Sequence, residues 1–201
     1  MKSNQMNTQT KIRYVQMRRL LGNLNGKEVL DVGAGNNPIS KGLKTKKTLC
    51  LDGVKDFNPD ICCNINDGIP LKDNSIDVII AGEFLEHIIH PFKLLREFSR
   101  VLRSGGEIVL SVPNICSLKS RLKAILGDLP ESCATPQDDE HYQRHVNDYN
   151  LKQLGNILDK SRFHITKTTS NGIIFHSKLL WPLFLTPPTF GETLIVRAIK
   201  K

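Results

Sequence analysis

The chain has 201 residues, 39% of them hydrophobic, with 28 Lys and Arg against 20 Asp and Glu. That size and composition suit one domain with a sizeable core, spanning residues 1–201, and exclude a disordered or fibrous chain. No window approaches the roughly 20 apolar residues of a membrane span, the start MKSNQMNTQTK lacks the apolar core of a secretory signal, and five cysteines with no C-x-x-C pair exclude a disulfide framework. The expectation is a soluble, cytoplasmic protein with reduced thiols. The net charge of +8 is local, because residues 1–49 carry ten Lys and Arg against two acids and the remainder carries eighteen of each. Such a basic N-terminal part steers an anionic substrate or RNA, or is simply a solvated surface.

In chain order, residues 1–24 place Ile12, Val15, Leu20 and Leu21 among Lys and Arg, a loosely amphipathic helix that ends at a Gly-Asn turn. Strands follow at 28–32, ending in glycines, at 48–51, ending at Asp52, and at 76–81, and the loop-like stretch between the last two, with Asn64, Asn66, Asp67, Gly68 and Pro70, holds one short strand around 61–65. Residues 92–102 show a helical apolar period that Ser104-Gly105-Gly106 stops, and 107–112 form the next strand. Beyond it come a basic amphipathic helix at 117–126, a polar loop at 127–140, a helix at 150–160, a strand at 164–169 and a last strand at 192–199. Strands alternating with helices at short spacing predict an α/β fold, a doubly wound, mostly parallel sheet with helices on both faces, here with an antiparallel last strand. The parts read as an N-terminal helical segment (1–24), a ligand-binding core (25–114) and substrate-side helices with closing strands (115–201).

The stretch LDVGAGNNP places Gly33 and Gly35 where the first strand turns away from the sheet. That is either an ordinary strand-to-helix turn or a cradle in which backbone approaches a ligand. A dinucleotide fingerprint requires a third glycine at position 38, where Pro38 suits a helix start but not close packing of a pyrophosphate; this argues against a nicotinamide oxidoreductase. Asp31, two residues before the first glycine, suits an amino group on the ligand better than a pyrophosphate. Asp52 closes the second strand at the place from which a carboxylate takes both hydroxyls of a ribose, although alone it reads equally as a cap or a surface acid. Together these residues describe a nucleoside ligand with a cationic end.

The segments VLDVGAGNNPIS (29–40) and IPLKDNSIDVIIAGEFLEHIIHPFKLLREFSRVLRSGGEIVLSVPN (69–114) resemble class I S-adenosylmethionine-dependent methyltransferases, which have a Rossmann-like fold. The second segment is similar to the branch acting on small molecules, which includes quinone-biosynthesis enzymes. The resemblance covers residues 27–114 well and 141–172 loosely. It implies S-adenosyl-L-methionine as cofactor, with Gly33, Ala34, Gly35 and Asn36 along its methionine part, Asp31 helping the ammonium and Asp52 on the ribose. Asn64 and Ile65 would meet the adenine; Asn64 departs from the usual acid, although its amide oxygen still accepts a hydrogen bond, and Asp67 is the nearest alternative. Ala81 and Glu83 would pass under the cofactor near its methyl group.

Methyl transfer from a sulfonium needs alignment and an acceptor freed of its proton, so few catalytic residues are obligatory. His87, in LEHIIHP, reads as a base near the mouth of the sheet or as a brace for the following helix. His145 and Tyr149 resemble the family's H-x-x-x-F/Y stretch, where the histidine often faces substrate. A metal site from His141, His145 and neighbouring acids is weaker, so none is expected, and Cys116 reads as a small buried residue. Residues 115–140 and 173–191 are apolar enough for a cover over the acceptor, a peripheral membrane contact with Lys119, Arg121 and Lys123, or a dimer contact. The leading expectation is transfer to a small-molecule acceptor, with oxygen favoured, by a monomer or homodimer. An RNA or protein methyltransferase and a non-catalytic cofactor-binding protein are the alternatives.

Overall fold

The computed structural model describes residues 6–130, 132–133, 145–175, 178–179 and 186–201. The elements run α1 (Thr8–Leu21), β1 (Glu28–Val32), β2 (Lys47–Asp52), β3 (Ile61–Cys62), β4 (Ile76–Gly82), α2 (Pro91–Val101), β5 (Leu102–Pro113), α3 (Leu118–Ile125), α4 (Leu151–Lys160), β6 (Phe163–Ser170), β7 (Ile174–Phe175), β8 (Lys178–Leu179) and β9 (Thr193–Lys200). Seven strands form one sheet in the order β3-β2-β1-β4-β5-β9-β6, and β7 with β8 makes a small separate hairpin. β1 through β5 pair in parallel, whereas β9 runs antiparallel to both of its neighbours, β5 and β6. The expected architecture and antiparallel last strand are therefore present.

Alternation along each strand divides the core between two faces. Leu30, Val32, Ile79 and Ala81 point to one side, where Leu94, Leu95 and Phe98 of α2 and Leu154 and Leu158 of α4 cover them. Val29, Val78, Ile80, Val109 and Ile195 point to the other, against Met17 and Leu21 of α1. Each helix begins with a device the sequence supplies. Asn7 accepts from the Thr10 N–H at 2.8 Å, Pro91 starts α2, and Asn150 accepts from the Gln153 N–H at 2.9 Å.

Three local expectations change. Pro38 starts no helix: residues 33–46 cross from β1 to β2 in turns, and α1 covers the face a helix there would have covered. The segment 61–65 contains only the two-residue β3. Ser104-Gly105-Gly106 does not separate helix from strand; β5 starts directly after α2 at Leu102, and the stretch bulges because Ile76 pairs with Leu102 while Val78 pairs with Glu107. Gly105 takes φ +70° in that bulge. Most of the expected loop at 127–140 and part of the expected cover at 173–191 lie outside the described residues. Among the described residues no helix is long and apolar enough to cross a membrane.

Candidate active site

Strand order reverses between β1 and β4, the switch point outside whose strand carboxyl ends α/β sheets of this kind bind ligands in a crevice. Gly33 (φ +66°) and Gly35 (φ +53°) make the first turn beyond β1, in backbone that favours glycine. The Gly33 and Ala34 N–H groups donate to the Leu51 carbonyl at 2.9 and 3.3 Å, which ties the turn to the end of β2. A Cβ on Gly33 would collide with the Phe84 ring, whereas one on Gly35 would meet no protein atom within 4 Å. Gly33 is thus demanded by packing as well as by φ, and Gly35 faces open space. Ala34 is buried and Asn36 exposed.

Asp52 sits at the end of β2 with one carboxylate oxygen accepting the Gly35 N–H and the other the Val54 N–H, both at 2.9 Å. Asp31 is buried beneath the loop, where it accepts the Ser40 N–H at 2.8 Å. Burial pushes its carboxyl up to about 6 against the pull of hydrogen bonds from Ser40 and Ile39 and the charge of Arg18. Asp31 therefore props residues 33–40 from below. Asn64 spends its amide oxygen locally, accepting from the Asn66 backbone N–H and side-chain amide, each at 3.1 Å, and Ile65 packs half-buried on the core. Cys63, just before them, donates its N–H to the Asp52 carbonyl at 3.2 Å.

Near the end of β4 the buried Ala81 packs on the α2 and α4 side, and just beyond it Glu83 turns the chain sharply at φ +51°. The Glu83 N–H donates to the Ser111 carbonyl and hydroxyl at 3.0 and 3.1 Å. Its carboxylate accepts from the Thr193 hydroxyl at 3.1 Å and pairs with Arg13 of α1. The same helix reaches the glycine loop, because the Tyr14 hydroxyl donates to the Asn37 carbonyl at 2.6 Å and Arg18 donates to the Ile39 and Lys41 carbonyls at 2.9 and 2.8 Å. α1 thereby joins the two strand ends. The sequence signalled an N-terminal helix but not Arg13 as the bridge.

His87 and His145 come together with ring centroids 5.1 Å apart. Segment 145–149 is carried there by backbone: the Val146 and Asn147 N–H groups donate to the Glu86 carbonyl at 2.8 and 3.1 Å, and the Asn147 side chain donates to the Ile88 carbonyl at 2.6 Å. Tyr149 is buried and anchors the segment from inside, its hydroxyl donating to the Leu85 carbonyl at 3.5 Å. His145 Nδ1 lies 3.1 Å from the Ser132 carbonyl. Glu86, which the sequence analysis left out, is 1% exposed beneath the pair. Burial, reinforced by the negative charge of Glu83, pushes its carboxyl up to about 8. Glu86 and His87 share the short helical turn 85–87, whereas Glu83 lies before it at the sharp bend. His141 lies outside the described residues, and Cys116 is half-buried.

Residues 30–110 match the family described as Methyltransferase domain. An uncharacterized protein of Methanocaldococcus jannaschii is 34% identical over 97 residues, 45% of this chain and 42% of that protein. The ubiquinone biosynthesis O-methyltransferase of Sodalis glossinidius is 29% identical over 53% of this chain and 49% of the enzyme. The chain spans less than half the length of these curated relatives. Among solved structures, a SAM-dependent methyltransferase of Thermotoga maritima superposes with a TM-score of 0.71 at 16% identity, over 95% of this chain and 90% of that one. A methyltransferase of Haloferax volcanii, solved with the Trm112 activator, gives 0.65 at 16% identity, over 96% and 88%. Residues 30–110 thus resemble a methyltransferase domain, in a chain that shares the fold of a solved SAM-dependent methyltransferase.

Proposed function

We propose that this protein binds S-adenosyl-L-methionine and transfers its methyl group to an oxygen of a small-molecule acceptor. The observation that carries this reading is the glycine turn closing on Asp52 at the point where the strand order reverses. Asp52 already accepts two N–H groups there, and the same carboxylate suits the two hydroxyls of a ribose. Gly35 leaves room for the ligand's bulk. Asp31 holds the loop and adds negative charge for an ammonium, while Asn64 and Ile65 border the adenine end. The cofactor supplies a methyl group on a positively charged sulfur, an already good leaving group. What remains for the protein is to align the acceptor, exclude water and take a proton from it, the work assigned to His87 and His145.

Oxygen is favoured because the two imidazoles stand together just beyond β4, and because an O-methyltransferase is among the relatives. An RNA substrate is less well supported, since much of the N-terminal basic charge is used internally: Arg13 on Glu83, Arg18 on loop carbonyls, Lys27 on Glu107 and Lys46 on Glu28. Calorimetric titration with S-adenosylmethionine, S-adenosylhomocysteine and NAD is the test. Binding of the first two alone supports the reading and leads to a methyl-transfer screen of phenols, quinols and small sugars. Binding of NAD, or of none of the three, would overturn it.

A further inference from the structure

We propose that Glu86, His87 and His145 form a binding site for one divalent transition-metal cation beside the cofactor crevice. Their ligating atoms lie within 4.8 Å of one another. Two ligands of a common ion, each about 2.0–2.2 Å from it, are separated by up to roughly 4.4 Å, so small side-chain rotations bring the three onto one centre. Two imidazoles with one carboxylate match the preference of first-row divalent ions such as Mn2+, Fe2+, Co2+ and Zn2+, and leave coordination positions open.

Glu86 supplies an independent reason. Its carboxyl is almost fully buried, and neither oxygen has a hydrogen-bond partner among the described residues. His87 Nε2 is 3.9 Å from one of them. Two buried carboxyl oxygens without partners are costly unless a proton or a cation satisfies them. The geometry is also built rather than accidental, because the Glu86 carbonyl itself holds the segment that presents His145. The contact of His145 Nδ1 with the Ser132 carbonyl orients the ring and leaves Nε2 for an ion, the arrangement in which a backbone carbonyl fixes a metal-binding histidine. Both histidines are half-buried.

Binding of the ion stands on this cluster alone; its use rests on the proposed transfer. With the ion bound, His87 and His145 serve as its ligands in place of the base role, and an acceptor hydroxyl held at an open position gives its proton to solvent more readily. Its oxygen then forms the bond to the methyl carbon as the sulfur–carbon bond breaks, the electron pair remaining on sulfur. Acceptors with two adjacent oxygens, such as vicinal diols or catechols, would occupy two positions and bind best.

The full chain, stripped by dialysis against a chelator, is titrated with Co2+ and followed by its visible absorption, with S-adenosylmethionine affinity measured on the same samples. The expected result is saturation at one Co2+ per chain, weakened at least about tenfold by Glu86→Gln and by His145→Ala and unchanged by His90→Ala. On the unsubstituted protein, Co2+ should broaden the ring resonances of His87 and His145 and spare those of the exposed His164, which keeps the test informative if a variant does not fold. Absence of saturable binding, insensitivity to both substitutions, or broadening centred elsewhere would overturn the site. Failure of cofactor binding with Co2+ binding intact would instead count against the transfer reading.

Discussion

The glycine turn beyond β1 and the histidine pair beyond β4 border the same crevice but are held in different ways. Around Gly33 and Gly35 the bonds run between adjacent strand ends: the Leu51 carbonyl takes two N–H groups and the Asp52 carboxylate a third. Around His87 and His145 they run between segments far apart in sequence, through the Glu86, Ile88 and Leu85 carbonyls. A cradle made by neighbouring strand ends is rebuilt whenever the sheet forms. A histidine pair brought together by a returning segment depends on that segment docking, and so can be altered without disturbing the cradle. The cofactor half should therefore respond to substitution as part of the fold, and the histidine half as an attachment to it.

The largest effect is expected at Gly33. Replacing it with Ala forces a side chain into φ +66° and against the Phe84 ring, costing about 1–3 kcal/mol from the backbone alone and most of the cofactor affinity. Urea denaturation of Gly33→Ala with and without Phe84→Ala separates the collision from the backbone strain; only the collision is relieved in the pair. Next comes Asp52→Ala, which should weaken S-adenosylmethionine binding by about tenfold or more, given roughly 1.5–3 kcal/mol for a hydrogen bond to a charged group, while circular dichroism stays native. Unchanged affinity would remove Asp52 from the ribose.

A smaller effect is expected from Arg13→Ala, which releases Glu83 from α1 and should change cofactor affinity only a few-fold by calorimetry. Deleting residues 1–20 is the cruder experiment, because Met17 is fully buried and its loss opens the core. A separate effect concerns pH. The folded Asp31 holds its proton up to about 6 while the unfolded chain releases it near 3.8, so between those values the folded state carries more protons and stability falls as pH rises. Urea midpoints from pH 4 to 7 should show that decline, flattened in Asp31→Asn. A stability that rises across this window in the unsubstituted protein but not in the variant would reverse the assignment.

The same contrast explains what was legible in the sequence. β1, β2 and β4 announced themselves as apolar runs ending at Gly33, Asp52 and Gly82, and their ends define the crevice, so the glycine and acid positions could be read locally. The helix not formed after Pro38 could not, because its absence is decided by α1: Met17 and Leu21 cover Val29, Val78 and Ile80 instead. The long bulge at 103–106 was hidden for a related reason. Two glycines read as a stop, and only the pairing of Ile76 with Leu102 shows the strand starting earlier. His87 and His145 were each visible as candidates, but their proximity rests on backbone bonds that leave no trace in composition or period. Glu86 was passed over because an acid inside an apolar turn looks like surface until its burial is seen.

The place of β9 bears on how the chain is made. It lies inside the sheet, between β5 and β6, yet it is synthesised after both. At about 5–20 residues per second, β5 waits with one edge bare and β6 without a partner in the sheet until residues 193–200 emerge from the ribosome. The strands that carry the glycine turn and Asp52 can pair early, but the side that supports the Ser111 contacts and Thr193 closes last. During that interval an open strand edge is a template for aggregation, and a chain broken off before Thr193 would never leave it.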